Sequence, residues 1–149
     1  MKQIGTDAES GVAVFQLTEG ERPADNIYGE QPYASCDGSR IAVRFYASET
    51  RAGGLSLLDL ERGALSPVLE TEPRFPAFHG WGEFLYFQEA AGDALLLRRC
   101  RYDTVEKEDV ASLPVREGRF SYGTVSPDHR WYAASVHPEE GGSKVMLFD

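Results

Sequence analysis

Four polar side chains that could bind a ligand stand together in one short segment: Asn26, Tyr28, Glu30 and Gln31. Amide and phenol groups suit the hydroxyls of a sugar, and the ring of Tyr28 can stack on a sugar ring. The segment leads into a predicted strand where side chains of neighbouring repeats would converge. A structural interpretation is equally good, because the same groups could tie this loop to the neighbouring repeat. The binding interpretation makes these four residues a predicted substrate-binding group.

Two arginines, Arg74 and Arg119, stand before the next two predicted inner strands. A guanidinium group binds a carboxylate through two parallel hydrogen bonds, so this pair would attract a uronate. The alternative is that both are ordinary exposed arginines. Tyr122 follows closely, and its hydroxyl either lines a channel or its ring packs between repeats. These three residues complete the predicted substrate-binding set.

A repeated strand–turn–strand unit must position these residues. Its first copy covers residues 31–45 and turns at Asp37-Gly38, where glycine accepts a positive φ and aspartate bonds its own backbone. A second copy covers residues 123–136, with Asp128 at the turn. The two aspartates are separated by two repeats of about 45 residues, which is typical of four-stranded propeller blades. A divergent third copy lies between them.

Apolar residues alternate with period two almost throughout the chain, between turns rich in Gly, Pro and Asp. We predict an all-β fold, a β-propeller of four-stranded antiparallel blades. With the strands of a blade lettered a to d, about three blades are present as d, abcd, abcd, abc, an incomplete ring. Residues 1–149 form a single propeller segment, with blades over 31–69, 75–113 and 121–149 and an N-terminal outer strand over 12–18.

Three blades are too few for a closed ring, since closed propellers typically have at least four. Two interpretations follow. Either the chain is the first part of a longer propeller, or its open edges pair with another copy, because an unpaired strand edge invites association.

The order of the strands also sorts the loops onto two faces. The d-to-a and b-to-c connections emerge at the channel mouth, where ligands usually bind, and the other turns emerge opposite. The ligand face would carry residues 26–31, 48–54, 72–74, 89–93, 116–121 and 137–142. Of the three histidines, His137 lies on this face, whereas His79 and His129 lie opposite. A zinc or manganese site needs three or four converging ligands, so we expect no metal and no cofactor in this segment.

No catalytic residue is predicted. Ser35 and Ser126 occupy equivalent turns of the repeat, which indicates a structural role. The sequence contains no Gly-x-Ser-x-Gly turn that would hold a nucleophilic serine.

The composition is that of a packed globular protein, with 42% hydrophobic and 11% aromatic residues. The net charge of −9 and the pI near 4.8 argue against nucleic acid as a partner, because phosphate binding depends on Lys and Arg. A small acidic oligosaccharide remains compatible, since it responds to the local field. No apolar run is long enough to span a membrane, and residues 1–11 lack a secretory signal. With two cysteines that we predict to be free thiols, we expect a cytoplasmic protein.

Two segments resemble oligogalacturonate lyase-type propellers. Phe15-Gln16-Leu17-Thr18, followed by Asn26-Ile27-Tyr28-Gly29-Glu30-Gln31 and Asp37-Gly38, is similar to the opening of that family, where an LT strand leads into an N-Y-x-x-Q segment and a DG turn. Tyr122-Gly123-Thr124 is similar to the family's YGT element. The resemblance covers nearly the whole chain, but only the first three blades of a seven-bladed fold. The turn at 126–128 is shared with TolB-like propellers and with the propeller domains of prolyl oligopeptidase-type peptidases, and the repeat as a whole is WD40-like.

The resemblance implies the N-terminal part of an oligogalacturonate lyase-like propeller, which binds or cleaves pectin-derived oligouronides by β-elimination. It also implies manganese in the full-length protein, where a His and Gln cluster in the C-terminal blades holds the metal. No positions of this chain match that cluster, so we expect the segment alone to be inactive. The alternative is a non-catalytic TolB-like propeller that serves as a scaffold for a ligand or a protein.

Overall fold

The structure is a computed structural model that describes residues 1–18, 23–26, 33–48, 52–71, 75–79 and 82–149. For residues 75–79 and for Tyr122 the description covers the backbone only. All statements on the fold below refer to these residues.

The described residues form strands joined by turns, with one three-residue 3₁₀ helix at Val115–Glu117 and no α-helix. In chain order the strands are β1 (Lys2–Thr6), β2 (Ala13–Gln16), β3 (Ala24–Asp25), β4 (Arg40–Phe45), β5 (Gly54–Asp59), β6 (Ala64–Leu69), β7 (Phe75–His79), β8 (Phe84–Ala91), β9 (Ala94–Arg101), β10 (Lys107–Leu113), β11 (Arg119–Val125), β12 (Tyr132–His137) and β13 (Lys144–Phe148). The predicted all-β fold is confirmed. Among these residues, no helix is long and apolar enough to cross a membrane.

Three antiparallel sheets follow one another along the chain, in the strand orders β3-β4-β5-β6, β7-β8-β9-β10 and β11-β12-β13. Each strand pairs with the next one in the sequence, as in the blade of a propeller. The two sheets of four strands and the last sheet of three strands reproduce the predicted order abcd, abcd, abc. We call them blades 1, 2 and 3.

The N-terminal strand is part of a hairpin that the sequence analysis did not predict. The outer strand expected over 12–18 corresponds to β2, which pairs with β1 in a separate two-stranded sheet. Both strands are exposed along their whole length. Within the described residues, β2 therefore does not complete one of the blades.

Of the inner strand predicted over 31–35, residues 33–35 are described. Ala34 forms a bridge with Ile41, and the amide of Ala42 donates to the carbonyl oxygen of Tyr33 over 2.8 Å, so this part pairs with β4 as predicted. The short strand β3, where Ala24 pairs with Phe45, lies along the other end of β4 and was not predicted.

The turns of the repeat are built alike in blades 1 and 3. The Ser35 hydroxyl donates to Asp37 Oδ1 over 2.6 Å and accepts from the amide of Arg40 over 2.9 Å. The Ser126 hydroxyl likewise donates to Asp128 and accepts from the amide of Trp131 over 2.9 Å. Both hydroxyls are thus used to close the turn, as their equivalent positions in the sequence indicated.

The core lies between the blades, and blade 2 is buried on both faces. Leu85 and Phe87 of β8 join Leu55 and Leu57 of blade 1 in one cluster. Tyr86, which points to the opposite face of the same strand, belongs to a second cluster with blade 3. A central blade of a propeller has this arrangement, since it packs against a neighbour on each side.

Blade 3 has one face in this core and one face without a neighbour among the described residues. Strand partners share a face, so Leu147 lies on the same side as Ala133, and Val145 on the same side as Ser135. Val145 is 76% exposed and Leu147 is 62% exposed. The side chains of Met146 and Phe148 alternate with them and pack into the core.

Candidate functional site

Most of the predicted substrate-binding residues cannot be located in the structure. Tyr28, Glu30, Gln31 and Arg74 lie outside the described residues, and so does the side chain of Tyr122. These five remain predictions. Asn26 and Arg119 are described, and each lines a cavity.

Asn26 belongs to a cavity of about 290 Å³ in blade 1. It is half-buried and follows β3, and Asp25 and Tyr33 line the same cavity. Amide, carboxylate and phenol groups meet there, and the remaining lining residues are mainly apolar. The described wall of the cavity is formed by β3, β4 and the residues Leu17 and Thr18.

A larger cavity, of about 530 Å³, lies where blades 2 and 3 meet, and we call it the blade-3 pocket. It is formed by the d-to-a connection that leads into β11 and by the b-to-c loop that follows β12, the loops assigned to the ligand face from the sequence. Its lining residues are Leu95, Val115, Arg116, Glu117, Gly118, Arg119, Phe120, His137, Pro138, Glu139, Glu140 and Lys144.

Gly118 allows these two loops to touch. Its φ of 128° lies in the region that favours glycine, and a Cβ atom there would be 2.4 Å from the carbonyl oxygen of His137 and 2.8 Å from Cα of Pro138. Both neighbours are backbone atoms, so they cannot move aside as a side chain would. The glycine therefore fixes the wall of the blade-3 pocket.

Three polar side chains lie on the face of blade 3 that points away from blade 2, the face that also carries Val145. Arg119 and His137 are direct partners across β11 and β12, and Ser121 lies two residues further along β11. The Ser121 hydroxyl is 2.9 Å from Nε2 of His137, and Ser121 itself is only 6% exposed. The buried hydroxyl holds the imidazole ring beside the exposed guanidinium group of Arg119.

The other charges of the pocket are partly paired. Lys144 Nζ donates to Glu117 Oε2 over 2.7 Å, and this hydrogen bond lowers the pKa of Glu117. Arg116 Nε lies 4.0 Å from Glu117 Oε1, with its side chain 88% exposed. By contrast, no carboxylate in the described part of the chain forms an ion pair with Arg119. This guanidinium group can receive an acidic ligand without first breaking such an ion pair.

The described residues do not form a metal centre. No group of three or more His, Cys, Asp or Glu side chains among them is placed to hold an ion. His129 Nδ1 is 2.9 Å from the hydroxyl of Tyr86, and His137 Nε2 is held by Ser121. The described side chains do not fit a manganese site, and the pocket combines cations, carboxylates and hydrogen-bonding groups.

The sequence predicted that Arg119 and His137 lie on the ligand face, but not that they are cross-strand partners. His137 was assigned to the ligand face on its own, while Ser121 and Gly118 were not singled out. Residues 116–121 were predicted as a loop, whereas Arg119 and Ser121 lie within β11. The partner of Arg119 depends on the register between β11 and β12, which the sequence does not show.

Comparison with solved structures identifies the fold. The chain is similar to oligogalacturonate lyase from Vibrio parahaemolyticus, with a TM-score of 0.69 and 17% identity, over 91% of this chain and 35% of that one. It is also similar to an oligogalacturonate lyase in complex with manganese, with a TM-score of 0.68 and 22% identity, over 91% of this chain and 36% of that one. A TolB structure from Agrobacterium tumefaciens matches with a TM-score of 0.52 and 19% identity, over 76% of this chain and 40% of that one.

The resemblance predicted from the sequence is confirmed as a likeness of structure, and the fold is that of a partial β-propeller. The chain spans about a third of the length of the two lyases. A scan against protein-family models finds no match, and neither does a sequence search of curated proteins. At these identities the likeness establishes the fold, and function has to be argued from the site.

Proposed function

We propose that this chain is the N-terminal part of an oligogalacturonate lyase-like propeller and that its ligand face binds pectin-derived oligouronides. The observation that carries the proposal is the position of Arg119, an exposed guanidinium group that lines the blade-3 pocket and has no ion-pair partner in the described part of the chain. Such a group binds a uronate carboxylate with two parallel hydrogen bonds. The likeness to two oligogalacturonate lyases over 91% of the chain supports the choice of ligand.

The remaining predicted contacts belong to the same proposal. Asn26 would bind sugar hydroxyls from the cavity of blade 1. Tyr28, Glu30, Gln31, Arg74 and Tyr122 complete the proposed substrate-binding set on the grounds given by the sequence.

Cleavage by β-elimination is assigned in this proposal to a longer protein. The reaction removes the proton next to the uronate carboxylate, so it needs a base and a cation that stabilises the enolate. Manganese is the expected cation, because one of the similar lyases is a manganese complex. Since the described side chains do not fit a metal site, we derive no metal step here and expect this segment alone to have no lyase activity.

We also propose a cytoplasmic location. Cys36 and Cys100 are both free, which fits a reducing compartment. Persistence of both thiols in protein isolated from the native host would agree with this location, and an oxidised pair would contradict it.

A second candidate is a non-catalytic TolB-like propeller that serves as a scaffold. It is favoured by the likeness to a TolB structure over 76% of the chain. In this case the open face of blade 3 would bind a protein or a ligand without turnover.

Calorimetric titration of the chain with trigalacturonate tests the first proposal, with the neutral galactose trimer as the control ligand. We expect the acidic trimer to bind, the neutral trimer to give no heat, and Arg119→Gln to weaken binding about tenfold, which corresponds to about 1.4 kcal/mol. If the acidic and neutral trimers bind equally, or neither binds, the proposed ligand is wrong.

The assay for cleavage uses the longer reading frame with unsaturated digalacturonate and manganese, followed by the absorbance of the released keto-sugar. Turnover would exclude the scaffold candidate. An inactive full-length protein would exclude the lyase.

A further inference from the structure

We infer that the blade-3 pocket holds one carboxylate of a hydroxylated acid between Arg119 and His137, with Ser121 as the residue that positions the imidazole. The inference rests on the proposed function for its choice of a uronate as the ligand. It goes further by naming the groups that bind the carboxylate and by tying that binding to a proton on His137.

The register of blade 3 brings the two groups together. Arg119 and His137 are direct cross-strand partners, so their Cβ atoms are about 5 Å apart and their side chains leave the same face of the sheet. Both residues line the cavity of about 530 Å³. Two cationic groups so placed repel each other, and a carboxylate between them removes the repulsion. The pair therefore suits an anion better when His137 carries its proton.

A hydrogen bond orients the imidazole ring of His137. The hydroxyl of Ser121 is 2.9 Å from Nε2 and almost fully buried, so it fixes the ring orientation. Nδ1 has no partner within the described residues. In the imidazolium both ring nitrogens donate, so Nε2–H can bond to Ser121 while Nδ1–H donates to a bound carboxylate.

The charges that line the pocket balance one another when His137 is neutral. Three are cations and three are carboxylates: Arg116, Glu117, Arg119, Glu139, Glu140 and Lys144. The strand β9 contributes the apolar Leu95 to the lining. Protonation of His137 gives the pocket a net positive charge, and the three carboxylates oppose a dianion such as sulfate.

The rim of the pocket favours a ligand that also carries hydroxyl groups. Glu139 and Glu140 are exposed and line the cavity, and carboxylates of this kind accept hydrogen bonds from sugar hydroxyls. The cavity volume lies within the range of about 300–1,000 Å³ that is usual for small-molecule sites. A single galacturonate residue meets both requirements.

The experiment is a titration of the ¹⁵N-labelled full chain with galacturonate, followed by amide chemical shifts at pH values of about 5.5 and 7.5, between which an imidazole changes charge. We expect about tenfold tighter binding at the lower pH, the factor that corresponds to one pH unit of coupling between proton and ligand. The shifts should concentrate at residues 116–121 and 137–140. Galactose and inorganic sulfate should give no such shifts.

Three variants separate the roles. Arg119→Gln should weaken binding at both pH values about tenfold or more, whereas His137→Gln should remove the pH dependence. Ser121→Ala should reduce the pH dependence, and Ser121→Thr should restore it, because threonine keeps the hydroxyl. Arg62→Gln is the matched control, since Arg62 is 78% exposed in a turn of blade 1 and its replacement should change neither affinity.

Equal affinity at both pH values, or pH dependence that survives in His137→Gln, would overturn the inference. Binding of trigalacturonate without pH dependence would leave the proposed function standing and remove only the inference. If galacturonate binds with the expected pH dependence but trigalacturonate does not bind, the inference stands and the proposed function is wrong. Amide spectra of each variant show whether it is folded before its affinity is compared.

Discussion

Gly123, in the Tyr-Gly-Thr element that supported the resemblance, has a clear physical role at the scale of single residues. A Cβ atom at this position would lie 2.4 Å from the ring of Tyr132. The glycine lets the ring lie against β11, and the Tyr132 hydroxyl accepts a hydrogen bond from Nε2 of Gln88 over 2.6 Å. The element therefore helps blade 3 to pack on blade 2, whatever else Tyr122 does.

Replacement of this glycine is the first prediction. Gly123→Ala should lower the free energy of unfolding by about 1–3 kcal/mol, the usual effect of overpacking a well-packed core. Gly5→Ala is the control, because a Cβ atom at Gly5 would meet nothing within 4 Å, and it should change stability by less than about 0.5 kcal/mol. Urea unfolding followed by tryptophan fluorescence measures both. Equal stability of the two variants would show that the Tyr132 ring can move away at little cost.

The Asp37 turn gives a prediction about pH. The hydroxyl of Ser35, and then the amide and hydroxyl of Ser39, lower the pKa of Asp37 from 3.8 to about 2. A carboxyl whose pKa is depressed in the folded state stabilises that state above its unfolded pKa, and this contribution is lost as the pH falls through the folded value. The stability difference between the wild type and Asp37→Asn should be constant near neutral pH and shrink as the pH falls from about 4 to about 2.

Unfolding curves at a series of pH values test this expectation. Glu70→Gln serves as the control, because the exposed Glu70 side chain makes no hydrogen bond in the described part of the chain. A difference between wild type and Asp37→Asn that stays constant down to a pH of about 2 would mean that the turn does not depend on the charge of Asp37.

At the scale of elements, the sequence predicted strands where their pattern was local. Both outer strands, β6 at Ala64–Leu69 and β10 at Lys107–Leu113, have the predicted bounds, since Gly or Asp turns and alternation define them without reference to other strands. The strands β1 and β3 were not predicted. Strand β1 pairs with β2, and β3 pairs with β4. The polar segment Lys2–Thr6 has no apolar alternation that would indicate a strand.

The candidate site was predictable to the same extent. The order of loops placed Arg119 and His137 on the ligand face, and both line the blade-3 pocket. The bond between Ser121 and His137 and the contact of Gly118 with the His137 backbone depend on register and on the distance between two loops. One sequence carries no local signal for either.

A buried hydrogen bond between Gln88 of β8 and Tyr132 of β12 gives the second stability prediction. Tyr132→Phe removes the hydroxyl that accepts from the buried amide of Gln88, which would leave that donor without this acceptor. We expect a loss of about 1–3 kcal/mol. Adding Gln88→Leu to Tyr132→Phe should recover part of the loss, because an apolar pair needs no hydrogen bond. A double variant as unstable as the two single losses combined would contradict this account.

At the scale of the whole molecule, the chain has two features that a closed ring would cover. Strand β13 is the outermost strand of a three-stranded blade, with Val145 and Leu147 exposed on one face. At the other end of the chain, the hairpin of β1 and β2 exposes Ile4, Val14 and Phe15. A strand edge next to apolar side chains pairs readily with another strand, and an isolated two-stranded hairpin is marginal in water.

Self-association of the isolated chain through these edges is the last prediction. We expect the mass measured by light scattering after gel filtration to rise above 16.5 kDa with increasing concentration. Val145→Lys and Leu147→Lys should shift the chain towards the monomer without lowering its stability, because both side chains are exposed and a lysine on an edge strand opposes pairing. Val110→Lys is the matched control on the edge of blade 2, where Val110 is 46% exposed and the blade already has four strands. A folded monomer at every concentration would contradict the prediction. Association that Val110→Lys weakens as strongly as Leu147→Lys would contradict a contact through β13, because Val110 lies on the outer strand of a different blade.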